Sequence, residues 1–60
     1  EPDNADFIFN LAVSLDQLHQ DKLAAQYYQM ALNAADTSGS ARAAGFDRDQ
    51  VQRRIQELLP

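Results

Sequence analysis

The residues of this 60-residue chain best suited to chemistry are its single histidine, His19, and the nearby Asp16 and Asp21. An imidazole and two carboxylates can act as a general base or as metal ligands, but both roles need partners that converge at a defined geometry. One histidine in a predicted turn, beside aspartates that suit helix ends, does not meet this requirement. We therefore expect no catalytic residue, no metal site and no cofactor.

Two further patterns resemble functional motifs but lack their essential parts. Asp47 and Asp49 have the spacing that opens a calcium-binding loop, yet the further acidic ligands and the invariant glycine are missing. Gly39 and Gly45 do not have the spacing of a phosphate-binding loop. No serine has a histidine or lysine placed to activate it. The sequence therefore predicts that the chain is not an enzyme.

Length and charge narrow the class of protein further. A chain of this size buries only about 60% of the surface that its unfolded form exposes, and without cysteine it has no disulfide to support it. Residues 1–36 carry six acidic side chains and one basic side chain, which argues against a nucleic-acid partner. No apolar run approaches the roughly 20 residues that span a bilayer. Because the chain begins with Glu1 rather than Met, we expect a piece of a longer protein.

Apolar residues recur at helical spacing in two neighbouring segments, which predicts a helical hairpin. The first helix is expected over about 4–18, with an inner stripe of Ile8, Leu11, Ala12, Leu15 and Leu18. The second helix is expected over about 22–35, with Asp21 as its N-cap. Its inner stripe is Ala24, Tyr28, Ala31 and Ala35. Because the break between the helices is short, they must lie antiparallel.

A third helix has the clearest start in the chain. Asp47 and Gln50 fit a capping box, and Phe46 and Val51 fit the hydrophobic staple that accompanies it. The apolar stripe of this helix is Val51, Ile55, Leu58 and Leu59. Because each of the three helices is too short to be stable alone, we expect their stripes to pack against one another.

The spacing of the first two helices resembles the tetratricopeptide repeat (TPR), in which W-x2-L-G-x2-Y is followed by A-x3-F and then P. The matching positions are Ile8, Leu11, Ala12, Leu15, Ala24 and Tyr28, with Ala31 where the family usually has another Ala. The small Ala12 and Ala24 allow the helices to cross closely, and large residues at 11, 15 and 28 fill the space beside them. Asp36 stands in place of the Pro, and His19 where a turn Gly is common, since His tolerates positive φ better than most residues.

The resemblance implies an all-α fold, with a TPR-like helix pair over 4–36, a connector over 37–46 and a C-terminal capping helix over 47–59. Together these would form a fragment of a right-handed α-α superhelix. TPRs bind other proteins, so the resemblance also implies a protein-protein interaction or scaffold module. The run at residues 10–15 is similar to single TPR units of bacterial pilus-assembly and secretion-associated proteins, and a piece of such a protein is one expectation.

In TPRs the ligand usually lies on a concave face lined by the first helix of each pair. The positions implied here for protein binding are Asp6, Phe9, Val13, Asp16 and Gln17. Phe9 and Val13 stand where one TPR subtype has the basic and amide groups that grip a terminal carboxylate, so we expect no such clamp. An apolar strip flanked by two aspartates suits an apolar or basic segment of a protein or peptide, either extended or helical.

Two alternatives to this binding face stay open. In the first, Phe9 and Val13 pack against the third helix or against a second copy of the chain. In the second, the chain is a structural unit that forms a homodimer through Phe7, Phe9 and Val13, without a separate ligand. Phe7, Phe9 and Val13 lie off the main apolar stripe, so the first helix should have neighbours on more than one side.

Overall fold

The computed structural model of the chain describes residues 4–38 and 47–59, with side chains over 5–35 and 47–59. Three helices occupy these ranges: α1 (Asn4–Gln17), α2 (Asp21–Ser38) and α3 (Arg48–Leu58). Helices α1 and α2 pack closely, α3 packs on α2, and no strand occurs within the two ranges. The fold is therefore all-α, as the helical spacing predicts. Of the predicted connector, residues 39–46 lie outside the described residues and the first two end α2.

The interface between α1 and α2 consists mainly of alanines. Ala12, Ala24 and Ala31 are fully buried at the helix crossing. Ala5 and Ala35 form a second small cluster at the end of the hairpin away from the turn. Because each of these side chains is a single methyl group, the two backbones can approach closely. The prediction of small residues at the crossing is confirmed.

Two leucines of the predicted inner stripe of α1 are exposed instead. Leu11 is 38% exposed and Leu18 is 69% exposed, whereas Ile8 and Leu15 are half-buried. At 3.6 residues per turn, Leu11 and Leu18 are rotated about 100° or more from Ala12 around the helix axis. The prediction that both leucines face α2 is therefore wrong. The stripe is narrower than the run of apolar residues.

A three-residue turn joins α1 to α2 and explains their antiparallel packing. The amide of Gln20 donates to the carbonyl of Leu15 over 2.9 Å, and the amide of His19 donates to the carbonyl of Asp16 over 3.0 Å. These two bonds form a Schellman motif, which needs a left-handed residue after the helix. His19 takes that conformation with a φ of 63°, as its match to a turn glycine predicts. Asp21 is the first residue of α2 rather than its N-cap.

Helix α3 begins at the predicted N-cap, Asp47, but the reciprocal bond from Gln50 that would complete a capping box is not among the hydrogen bonds of the described residues. A carboxylate oxygen of Asp47 accepts a hydrogen bond of 2.9 Å from the amide of Asp49, so the aspartate is the N-cap. Val51 and Leu58 are buried and Ile55 is half-buried, so most of the predicted stripe packs inward. Leu59 follows the helix and is exposed, which corrects its place in that stripe. Phe46, the other half of the predicted staple, lies outside the described residues.

Candidate interaction surfaces

The hairpin of α1 and α2 has two sides, and α3 lies on one of them. Two contacts across the hairpin define this side: the Phe9 and Tyr28 rings, with centroids 5.8 Å apart, and a hydrogen bond from the Tyr28 hydroxyl to Asp16. Arg54 of α3 also bonds Asp16. We call this surface the α3 side of the hairpin and the opposite surface the open side.

A polar network on the α3 side joins all three helices at Asp16. Nε of Arg54 donates to Oδ2 of Asp16 over 2.8 Å, and Nη2 donates to Oδ1 over 2.7 Å. The Tyr28 hydroxyl donates to Oδ2 over 2.9 Å. Such a two-pronged arginine–carboxylate pair fixes orientation as well as attraction. Glu57 accepts from Nη1 of Arg54 over 2.9 Å and so holds the guanidinium from the other side.

These contacts change the acid–base behaviour of their members. The hydrogen bonds from Arg54 hold the pKa of Asp16 below its usual value, although partial burial opposes this change. Burial, aided by the hydrogen bond to Asp16, raises the pKa of Tyr28 to about 12. The hydrogen bonds to Asp16 and Glu57 raise the pKa of Arg54. At neutral pH the network therefore contains a carboxylate, a neutral phenol and a guanidinium.

The five residues predicted for protein binding all lie on one half of α1, the half that leads to the α3 side. Phe9 and Val13 are half-buried and pack against a core cluster that includes Val51 and Leu58 of α3. Asp16 is engaged by Arg54, and its side chain is only 15% exposed. Asp6 is half-buried and Gln17 is exposed, both farther round the helix. Helix α3 therefore engages Asp16, while Phe9 and Val13 border the core that α3 helps to form.

The open side carries a set of exposed apolar residues that the pattern of core stripes does not predict as a group. They are Phe7 and Leu11 on α1, Leu18 directly after α1, and Leu23 and Met30 on α2. Measured from Ala12 on α1 and Ala31 on α2, these residues are rotated in the opposite sense from Asp16 and Tyr28. Because the helices are antiparallel, equal rotations bring the two sets to the same side of the hairpin. The five side chains therefore border one surface.

The open side is also free of charge over the part of the chain whose side chains are described. Its polar positions are Ser14, Gln26 and Asn33, which lie along its edges. The charged residues of α1 and α2, from Asp6 to Lys22, fall on the α3 side, at the helix ends or on the outer faces. This separation is notable in a chain with a net charge of −4.

Sequence reasoning missed two features of these surfaces. The residues at 7, 11 and 18, and those at 23 and 30, have helical spacing of their own, so a second stripe on each helix could have been found. The pair between Asp16 and Arg54 could not, because its members are 38 positions apart on helices whose relative placement the sequence pattern does not specify.

Comparison with other proteins adds no family to this description. Neither a protein-family model, nor a curated protein, nor a solved structure matches the chain. Within the described residues, no helix is long and apolar enough to cross a membrane. The same residues contain no group of three or more His, Asp or Glu side chains placed to hold a metal ion.

Proposed function

We propose that this chain is a protein-interaction module of the TPR type, which holds another protein against the open side of its α1–α2 hairpin. One observation carries the proposal: five large apolar side chains lie exposed on a side of the hairpin that has no charged group among the side chains described. Phe7 is 61% exposed and Leu18 is 69% exposed. Contiguous apolar surface of this kind on a small protein is characteristic of interaction sites.

The size of this apolar surface suits a small interface. Five half-exposed side chains of Leu, Met and Phe contribute roughly 400–500 Å² of apolar area. A stable interface of ordinary size buries about 800 Å² on each partner, with an apolar centre and a polar rim. The five residues would supply that centre, and the amides and hydroxyl at the edges would supply part of the rim. A partner with an apolar, uncharged surface, such as a helix face, fits best.

The assignment to the TPR type rests on the helix pair itself. Its crossing consists of alanines at the positions where the family has small residues, and its turn uses His19 where the family often has glycine. A TPR helix pair cannot bury all its apolar surface alone and relies on stacked neighbours. Helix α3 is such a neighbour on one side. The idea that the host is a bacterial assembly or secretion-related protein rests on the run at residues 10–15 alone.

A second copy of the chain is the alternative partner, and the absence of charge on the open side favours it. In a symmetric dimer each residue near the two-fold axis faces its own counterpart or a close neighbour. Most surfaces of an acidic chain would then bring like charges together, whereas the open side would not. The homodimer in this form uses Phe7 but not Phe9 or Val13, which are half-buried on the α3 side.

Site-specific photo-crosslinking tests the proposal and identifies the class of partner. A photoreactive phenylalanine analogue is placed at Leu11 on the open side, and, as a matched control, at Arg53, which is exposed on α3. Both variants are exposed to an extract of the cells that make the protein. We expect a discrete adduct from position 11 only. Its mass distinguishes a foreign protein from a second copy of the chain.

A substitution on the same surface tests whether the adduct depends on the open side. Leu18→Asp places a charge at the turn end of the open side without entering the core, so it should abolish the adduct formed from position 11. Leu59→Asp is the control, because Leu59 is a similarly exposed leucine beyond α3. Equal adducts at positions 11 and 53, or an adduct at position 11 that survives Leu18→Asp, would rule out the open side as the binding surface.

A further inference from the structure

We propose that the α3 side of the hairpin is a receptor for an amphipathic helix that carries an arginine, and that α3 holds this site until a helix of a partner protein displaces it. This site is separate from the open side and does not depend on the function proposed for that surface. The partner is defined by the chemistry of α3: apolar residues four and seven positions apart, with an arginine between them.

The face of α3 that enters the site supplies the pattern. Val51, Arg54, Ile55 and Leu58 lie on one half of the helix, at positions i, i+3, i+4 and i+7. Val51 and Leu58 are buried, and Ile55 packs partly against the same core. The residues between them, such as Gln52 and Arg53, are exposed. An apolar face with i, i+4 and i+7 anchors is the usual form of a helix that binds in a groove.

The hairpin supplies a shaped and charged counterpart. Its apolar part consists of the buried Ala25 and Leu32 of α2 and the half-buried Phe9 and Val13 of α1. Its polar part is the Asp16 carboxylate, both of whose oxygens accept from Arg54. The Tyr28 hydroxyl bonds Oδ2 of this carboxylate from within the hairpin, so Asp16 is oriented by a residue outside α3. The receptor groups therefore belong to the hairpin alone.

Helix α3 is attached to one helix of the hairpin and not along both. Within the described residues α3 packs on α2, while its polar link to α1 is the pair between Arg54 and Asp16. An 11-residue helix is too short to be stable alone, so its order depends on this site. Single elements at the end of a fold can open at a lower free energy than the whole fold. A partner helix could then use the vacated surface.

A labelled peptide with the sequence of residues 47–59 is the probe. It is titrated against the full chain and against the full-chain variant Arg54→Ala, which weakens the hold of α3 while leaving Asp16 and Tyr28 in place. We expect the variant to bind the peptide at least ~10-fold more tightly, because apparent affinity rises with the fraction of molecules whose site is open. Arg53→Ala is the matched control, and its affinity should stay within about twofold of the unmodified chain.

Charge reversal gives the proposal a specific signature. The unmodified peptide should bind poorly to a chain with Asp16→Arg. The peptide carrying Arg54→Glu should bind the Asp16→Arg chain more tightly than it binds the unmodified chain. A general apolar association would not reverse its preference in this way. Val51→Ala offers a second route to release α3, because it removes apolar contacts and leaves the polar network unchanged.

Three results would overturn the proposal. The first is absence of peptide binding to Arg54→Ala and Val51→Ala chains that remain helical by circular dichroism. The second is binding that is indifferent to charge reversal at Asp16. The third is a concentration-dependent dimer of the unmodified chain that is lost in Arg54→Ala. That dimer would show that a second copy exchanges α3 and that no foreign helix is needed.

Discussion

At the scale of single residues, Asp16 has a different role from the one that its position on α1 implies. A carboxylate at the edge of an apolar strip suggests attraction of a basic ligand. In the structure a basic side chain of the same chain already occupies it, and a tyrosine hydroxyl fixes its orientation. One residue therefore joins α1 to both other helices. Exposed ion pairs usually contribute little to stability, but the two-pronged geometry makes this pair specific.

The lowered pKa of Asp16 predicts how this joint depends on pH. Because the carboxyl releases its proton more readily in the folded chain, its stabilising effect is present above its ordinary pKa of 3.8. The stabilising effect is lost as the pH falls through the lower pKa that Asp16 has in the folded chain. A double-mutant cycle with Asp16→Asn and Arg54→Ala measures the coupling by urea unfolding. Coupling at neutral pH that shrinks as the pH is lowered below 3.8 is expected, whereas coupling that stays the same on acidification would contradict the ion pair.

His19 offers a prediction of the opposite sign, since its replacement should stabilise the chain. With a φ of 63° it bears the cost that a side chain imposes on left-handed backbone. His19→Gly should raise the free energy of unfolding by about 0.5–1 kcal/mol, and His19→Val should lower it. Urea unfolding of both variants checks this. A less stable glycine variant would show that the imidazole makes contacts that offset the backbone cost.

The sequence predicts the role of a single residue when that role depends on its neighbours along the chain. The left-handed position of His19 and the cap at Asp47 follow from short patterns in which neighbouring residues supply the partners. The role of Asp16 does not, because its partner comes from a distant helix. The same holds for Phe9 and Val13, which pack against a core that includes residues of α3. Whether Phe9 and Val13 are exposed for binding could be decided only once the position of α3 was known.

At the scale of helices, the crossing of α1 and α2 determines how close they lie. Ala12, Ala24 and Ala31 are fully buried, so the space between the backbones is no wider than methyl groups require. This closeness leaves little room for larger side chains. It explains why Leu11 and Leu18 lie outside the crossing although they belong to the apolar run of α1.

Enlarging a residue at this crossing should therefore be costly. Ala24→Leu inserts three carbon atoms where the side chain has no exposed surface, and overpacking of this kind costs about 1–3 kcal/mol. Ala34→Leu on the same helix is the control, because Ala34 is half-buried beside the smaller cluster and should tolerate the change better. Chemical denaturation followed by circular dichroism measures both. Equal effects at 24 and 34 would argue against a close crossing.

Helix existence is predictable here, and helix orientation only partly so. Spacing of apolar residues indicates three helices, and a three-residue turn requires the first two to be antiparallel. It does not say which side of the hairpin receives α3, because both sides carry apolar residues. The side chosen is the one where Asp16 and Tyr28 meet Arg54. Charge and hydrogen bonding, rather than apolar spacing, distinguish the two sides.

At the scale of the whole molecule, the three helices make a structure with two unlike surfaces. On the α3 side a polar network and an apolar groove are satisfied within the chain. On the open side five apolar residues face outward, and none of the charged side chains described in the structure lies among them. A partner bound on the open side would complete the burial that α3 begins on the other side. This division into a filled side and an open side is the basis of the proposed function.

Methyl-detected NMR with a soluble paramagnetic probe tests this division most directly. In a dilute sample of the unmodified chain, the methyl groups of Leu11, Leu18, Leu23 and Met30 should relax strongly in the presence of the probe. Those of Val13 and Val51 should be protected, because Val13 packs against the core cluster and Val51 is a buried member of it. Strong relaxation at Val13 together with protection at Leu18 and Leu23 would place α3 on the other side of the hairpin and contradict the account.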